Sequence, residues 1–193
     1  MNSGMLSGQE VSKPRMILVE EILADQLVIN SSEIIDSRDY GIPDLSAYHS
    51  IELDLGVKTT KNSTNIFLFI LFDNSTNFDY QYERIFASGT TRNSNTSTGN
   101  FIGLVAGANN LPGVYSRNII KLFKAQNKVY MQSISHVQLS ATEDTIYIIT
   151  GQTTVDLEFK FFRLYTESGI FFDPYSTIKI IGHRKVPFSS LHL

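Results

Sequence analysis

Apolar and polar residues alternate through most of this chain, with a period of two. In HSIELDLGVK, apolar Ile51, Leu53, Leu55 and Val57 alternate with Glu52, Asp54 and Gly56. That spacing predicts a strand with one wet face. Ile66 to Phe72 is apolar at every position. It predicts a strand buried on both faces or lying at a subunit contact. Tyr80, Tyr82 and Ile85 continue by alternation. FIGLVAG reads as a short apolar strand, followed by a turn at Asn109-Asn110-Leu111-Pro112-Gly113. RNIIKLFKA and KVYMQSISHVQL flank Gln126-Asn127, a hairpin turn. DTIYIIT, TVDLEFKFFRLYT and STIKIIGHRKV complete the series. In the second of these, Val155, Leu157, Phe159 and Phe161 lie opposite Asp156, Glu158 and Lys160. The Phe161-Phe162 pair then breaks the alternation, as a bulge or a change of face does.

Three stretches depart from this pattern. The first 15 or so residues are small and polar, close with Pro14, and predict a flexible arm. Met16 to Ile29 places Ile17, Val19, Ile22, Leu23 and Leu27 where either a helix or two short strands fit. Two strands are favoured, because no N-cap is clear and β-branched residues sit at both ends. SGTTRNSNTSTGN, residues 88–100, is polar throughout and predicts a long exposed loop. Roughly eight or nine strands at ~8–15-residue spacing, with no convincing helix, place the chain in the all-β class, as an antiparallel β-sandwich or jelly roll.

Composition narrows the function classes. The 193 residues suffice for one domain with a core, or one domain plus an arm. A net charge of -3 gives no reason to expect nucleic acid or an anionic membrane as partner. No cysteine is present, which excludes disulfides, zinc-thiolate sites and cysteine nucleophiles. MNSGMLSGQEVSKPR lacks a charged-then-apolar signal pattern, and Ile66–Phe72 is far too short to span a bilayer. A protein made in the cytoplasm is expected. Thirteen Phe and nine Tyr without Trp, beside many Ile, Thr, Ser and Asn, suit strands and the turns between them.

Three stretches in order resemble the single jelly-roll domain of tailed-bacteriophage virion proteins of the head-decoration, head-fibre or tail-associated type. GIPDLSAYHSIELDL resembles the family's entry, with an Ile-Pro, a Tyr and an alternating strand. FLFILFDNSTNFDYQYERI resembles its apolar strand, Asn/Asp-rich turn and Tyr. FRLYTESGIFFDPYSTIKIIGHRKV resembles its closing hairpin, and RNIIKLFKAQNKVYMQSIS fits a middle hairpin. The resemblance spans about residues 34 to 186. It implies a jelly-roll β-sandwich over residues 31–193 and an extended N-terminal arm over residues 1–30. It also implies a virion structural protein, made in the bacterial host cytoplasm and docking through its arm on other capsid or tail proteins. A homo-oligomer is expected, NIFLFILF being apolar enough for a subunit contact. The family brings no catalytic residue and no cofactor.

Candidate chemistry is sparse. Asp73, Ser75, Asn77 and Asp79 have alternate spacing, as calcium ligands often do, and Asp73 and Asp79 are the candidate metal ligands. The EF-hand pattern fails, because Phe78 and Arg84 stand where Gly and Glu are needed. A strand-end turn capped by Asn and Asp is the favoured reading. Asn30, Asn62, Asn74 and Asn95 begin sequons, expected to be silent without a signal peptide. His49, His136, His183 and His192 are dispersed, without metal-ligand spacing. No nucleophile elbow or phosphate loop occurs, so an enzyme is not expected. Asp36, Asp39 and Asp44 cluster near Arg38, as a cation site or a solvated turn, and the turn is the favoured reading. Tyr80, Tyr82 and Tyr175, with Phe78, Phe171 and Phe172, are candidates for a platform stacking on host-surface glycan, against core packing as the alternative.

Overall fold

The structure is a computed structural model describing residues 15–27, 33–42, 44–62, 65–73, 80–88, 91–110, 113–140, 143–167 and 169–187. In chain order its strands are β1 (Met16–Leu27), β2 (Ile34–Asp36), β3 (Ser50–Val57), β4 (Asn65–Phe72), β5 (Tyr80–Ser88) and β6 (Thr91–Gly99). Then follow β7 (Phe101–Ala106), β8 (Ser116–Ala125), β9 (Lys128–Ser140), β10 (Glu143–Thr153), β11 (Phe162–Tyr165) and β12 (Thr177–Pro187). They form an eight-stranded sheet, order β1-β12-β3-β8-β9-β10-β5-β6, and a four-stranded sheet, order β2-β11-β4-β7. Every ladder is antiparallel. The two sheets pack as a sandwich.

The alternating positions face the interior as predicted. Ile51, Leu53, Leu55 and Val57 of β3 are fully buried, against Ile120 and Leu122 of β8 and Ile66, Leu68, Ile70 and Phe72 of β4 in one core. Strand β7 is the inner edge of the small sheet, and side chains rather than a further strand satisfy its free edge. Ser133 Oγ donates to Ile102 O at 2.6 Å, Asn118 Nδ2 donates to Leu104 O at 3.0 Å, and Leu104 N donates to Ser135 Oγ at 2.8 Å. These buried serines and the asparagine sit among apolar neighbours because a lost backbone partner there is expensive.

Four expectations change. Residues 16–27 are neither arm nor two strands but one edge strand, paired with β12 along its length with a bulge between Ile22 and Ala24. Its exposed Glu20, Asp25 and Gln26 guard the edge against other chains. The rest of the predicted arm lies outside the described residues. Residues 91–99 are not a loop but the opposite edge strand, paired with β5 from Tyr80↔Gly99 to Ser88↔Thr91. Strand β4 is buried on one face only, with Phe67 exposed and Phe69 and Leu71 partly so. Finally, 154–161 is irregular, and only Phe162–Tyr165 of TVDLEFKFFRLYT is a strand. Phe159 adopts φ 59, which breaks the extended run, yet its ring is buried edge-on to Phe72 at 5.3 Å. The Gln126-Asn127 hairpin forms as predicted, with Gln126 left-handed and Ala125 paired to Lys128.

Candidate functional site

Asp73 ends β4 in a left-handed turn at φ 51. Its carboxylate accepts three backbone N–H bonds from the irregular segment: Phe159 at 3.0 Å on Oδ2, and Lys160 at 2.6 Å and Phe161 at 3.2 Å on Oδ1. Its own N–H donates to Phe161 O at 3.0 Å. Both oxygens are therefore engaged in fastening residues 159–161 to the end of β4. The turn favoured from sequence caps its own backbone; Asp73 instead caps a segment far along the chain, and residues 74–79 of that turn lie outside the described residues. Asp79 lies outside the described residues, which hold no group of three or more His, Cys, Asp or Glu placed for a metal.

The acidic group near Arg38 divides into local caps. Asp36 accepts from Arg38 N and Nε at 2.9 Å and from Nη2 at 2.6 Å, opening a 3-10 helix at Ser37–Tyr40. Burial pushes the Asp36 carboxyl up, but the Arg38 side-chain and backbone bonds outweigh it and hold it below its ordinary value. Arg38 also stacks on the Phe161 ring at 3.9 Å. Asp44 accepts from Ser46 N at 2.7 Å. Burial, then the Asp39 charge, pushes the Tyr40 hydroxyl up to about 12.

His49 and His183 of β12 meet through the backbone, His49 N–H donating to His183 O at 2.7 Å, while His136 on β9 lies 3.5 Å from Asp144. His192 and the sequons at Asn30 and Asn74 lie outside the described residues. Asn62 is exposed, and Asn95 on β6 accepts from Arg84 Nε at 3.1 Å. The aromatic candidates are not brought together. Tyr82 is buried, while Tyr175, just before β12, is 71% exposed. Nothing is described of the Tyr80 side chain.

The most distinctive surface is one that sequence reasoning missed. Across the outer face of the large sheet, Ile119 of β8 pairs with Ile134 of β9, Ile134 with Ile148 of β10, and Ile148 with Ile85 of β5. The four form one in-register row across four strands. Ile85, Ile134 and Ile148 are 57%, 50% and 44% exposed, and Ile146 adjoins them, also exposed. Cross-strand pairs of this kind stabilise a sheet by about 0.2–1 kcal/mol each. Leaving such a side chain in water forgoes up to about 1.5–3 kcal/mol of burial. Single exposed apolar residues are ordinary, whereas a contiguous set marks an interaction surface.

Beside the row, toward the β8–β9 hairpin, lies an open groove of about 580 Å³. Its lining includes Gln81, Glu83, Gln132, Thr150, Gln152 and Tyr130. Lys121, one position up from Ile119 on that face, pairs with Glu52 at 3.0 Å, while Glu83 has no ion-pair partner among the described residues. A smaller apolar patch lies on the other side of the sandwich, where Phe69 stacks on Tyr165 at 5.3 Å and Phe67 meets Phe101 edge-on at 5.2 Å. No helix among the described residues is long and apolar enough to cross a membrane. Comparison with known proteins returns no matching family model, no matching curated protein and no matching solved structure.

Proposed function

We propose that this chain is a structural subunit, a β-sandwich of jelly-roll type that works by presenting faces to neighbouring subunits rather than by catalysis. The observation that carries this reading is the isoleucine row, an apolar surface on the outside of an otherwise complete sandwich. The partly exposed outer side of β4 adds a second such surface on the opposite layer. The order of motifs from Ile42 onward, similar to tailed-bacteriophage virion proteins, supports a place as a head-decoration or tail-associated subunit, synthesised in the host cytoplasm. The expected partners are further copies of itself and other capsid or tail proteins. Light scattering on the purified full chain tests this, and a multimer is expected. A monodisperse 21.7 kDa species that binds neither phage heads nor tails refutes it.

A second reading, binding of host-surface glycan, is favoured by the groove. Its amides and hydroxyls are neutral donors and acceptors beside the exposed Tyr130 ring, which suits a polyol. Of the tyrosines singled out from sequence, Tyr82 lines this groove but is buried, and Tyr130 supplies the exposed ring. Binding on a glycan array that Tyr130→Ala and Gln132→Ala abolish supports it, and an empty array refutes it.

A further inference from the structure

We infer that two copies of this chain pair through the outer faces of their eight-stranded sheets, about a two-fold axis that runs parallel to the strands between β9 and β10. The inference rests on the reading of the chain as an assembling subunit and names the surface and the partner.

The register of the ladders fixes what such an axis juxtaposes. It lays β9 on β10 of the partner copy, β8 on β5, and β3 on β6. Ile134 then faces Ile148, and Ile119 faces Ile85, so the whole row closes on itself. One position along, Lys121 faces Glu83, and Gln132 faces Thr150. In the other direction His136 faces Ile146, and Arg117 faces Ala87. Each contact occurs twice by symmetry, as an isologous interface requires. Glu83, without an ion-pair partner among the described residues, thereby meets a cation, and no two of the charged residues named here face a like charge.

The alternative two-fold, along the row, fails on charge. It lays each strand on its own copy, so that Lys121 faces Arg117 and Asp54 faces Asp54. Like charges brought together at an interface are costly and select against that arrangement. Aligned packing of twisted sheets about 10 Å apart admits the first axis without rebuilding either sheet. The six strands β3 to β6 are about 30 Å across, and the rows used are about 20 Å high, giving a projected footprint of about 600 Å². Side-chain relief brings the accessible area toward the ~800 Å² per partner of a standard interface. The groove lies on the same face, and Tyr130 packs over Gln152 of the partner copy.

Sedimentation velocity on the full chain tests the pairing. The wild type is expected to be dimeric at tens of micromolar, and the double variant I134K/I148K to weaken the dimer by at least about 100-fold. Because a lysine pair in β9 and β10 also perturbs the sheet, a charge swap provides the independent test. K121E alone and E83K alone each set like charges face to face and yield monomers. An equimolar mixture of the two variant chains sets opposite charges face to face at both contacts, so dimers return. Single variants that keep the wild-type mass, or a mixture that stays monomeric, overturn the pairing. A wild type that is multimeric yet insensitive to every variant overturns this face alone and leaves the assembly reading standing. A wild type monomeric at 100 µM overturns this pairing as well. A monomer that binds a glycan array through the groove overturns it in favour of a ligand.

Discussion

Replacing Asp73 removes the fastening of residues 159–161, which lead into β11, to the end of β4. Its carboxylate accepts from Phe159, Lys160 and Phe161, and only the Lys160 contact is open to solvent. Hydrogen bonds to a charged group contribute about 1.5–3 kcal/mol when shielded. Taking the lower figure for the two shielded bonds and about 0.5 kcal/mol for the exposed one gives about 3.5 kcal/mol. Alanine at φ 51 adds roughly 1 kcal/mol of backbone strain, which Asp tolerates better and Gly avoids. Asp73→Ala should therefore cost about 4–5 kcal/mol, a large share of the ~5–15 kcal/mol that holds a domain together. Asp73→Gly loses the same bonds without the strain. Asp73→Asn keeps acceptance on one oxygen but turns an amide toward Phe159 N–H, at about 1.5–2 kcal/mol. Urea unfolding at neutral pH reads the series, with the midpoint falling in the order Asn, Gly, Ala and the slope unchanged. An alanine variant within 1 kcal/mol of wild type refutes the assignment. So does a wild type that calcium stabilises and the Asn variant does not, since the carboxylate is then a cation ligand.

Three further outcomes follow from local geometry. A Cβ on Gly182 would stand 2.5 Å from Tyr48 Cδ1, so Gly182→Ala displaces the ring and its 3.2 Å bond to Glu21. A cost of about 2–3 kcal/mol and a melting point lower by about 4–12 °C are expected by calorimetry, and an unchanged transition contradicts this packing. Asp36, held below its ordinary value, contributes stability present above the unfolded carboxyl pKa and lost as pH falls through the folded one. Asp36→Asn should therefore flatten the loss of stability below about pH 4. Tyr40 has the opposite sign: its raised pKa favours the folded state while neutral, and that share is lost as pH rises from about 10 through about 12. Tyr48, Tyr115 and Tyr165 are raised as well, so a phenolate absorbance titration whose late component shrinks by one tyrosine in Tyr40→Phe confirms it, and an identical curve contradicts it.

The fold was legible where one face of a strand is wet and the other dry. HSIELDLGVK shows this contrast, and its inward residues are all buried. Strand β6 lacked it, because both faces of TRNSNTSTG are wet at a sheet edge and its polarity matches that of a loop. Strand β4 read as buried on both faces or lying at a subunit contact, and Phe67, Phe69 and Leu71 leave its outer face open in the single chain, which removes the first of these. The segment 154–161 read as a strand because apolar and polar residues alternate along it, but Val155 is exposed, burial alternates only from Leu157 on, and Asp73 fastens its end from a distance in sequence that no local pattern reveals. The isoleucine row was hidden for a related reason. Ile85, Ile119, Ile134 and Ile148 each occupy the outward phase of their strand, and that misplacement was the available signal. Their alignment depends on four ladders at once and exists only in the folded sheet.

The mass of the wild-type chain in solution, measured by sedimentation from 1 to 100 µM, tests the central claim most directly. A shift with concentration toward at least twice 21.7 kDa is expected, abolished in I134K/I148K while the fold persists by circular dichroism. A wild-type chain that stays at 21.7 kDa throughout contradicts it.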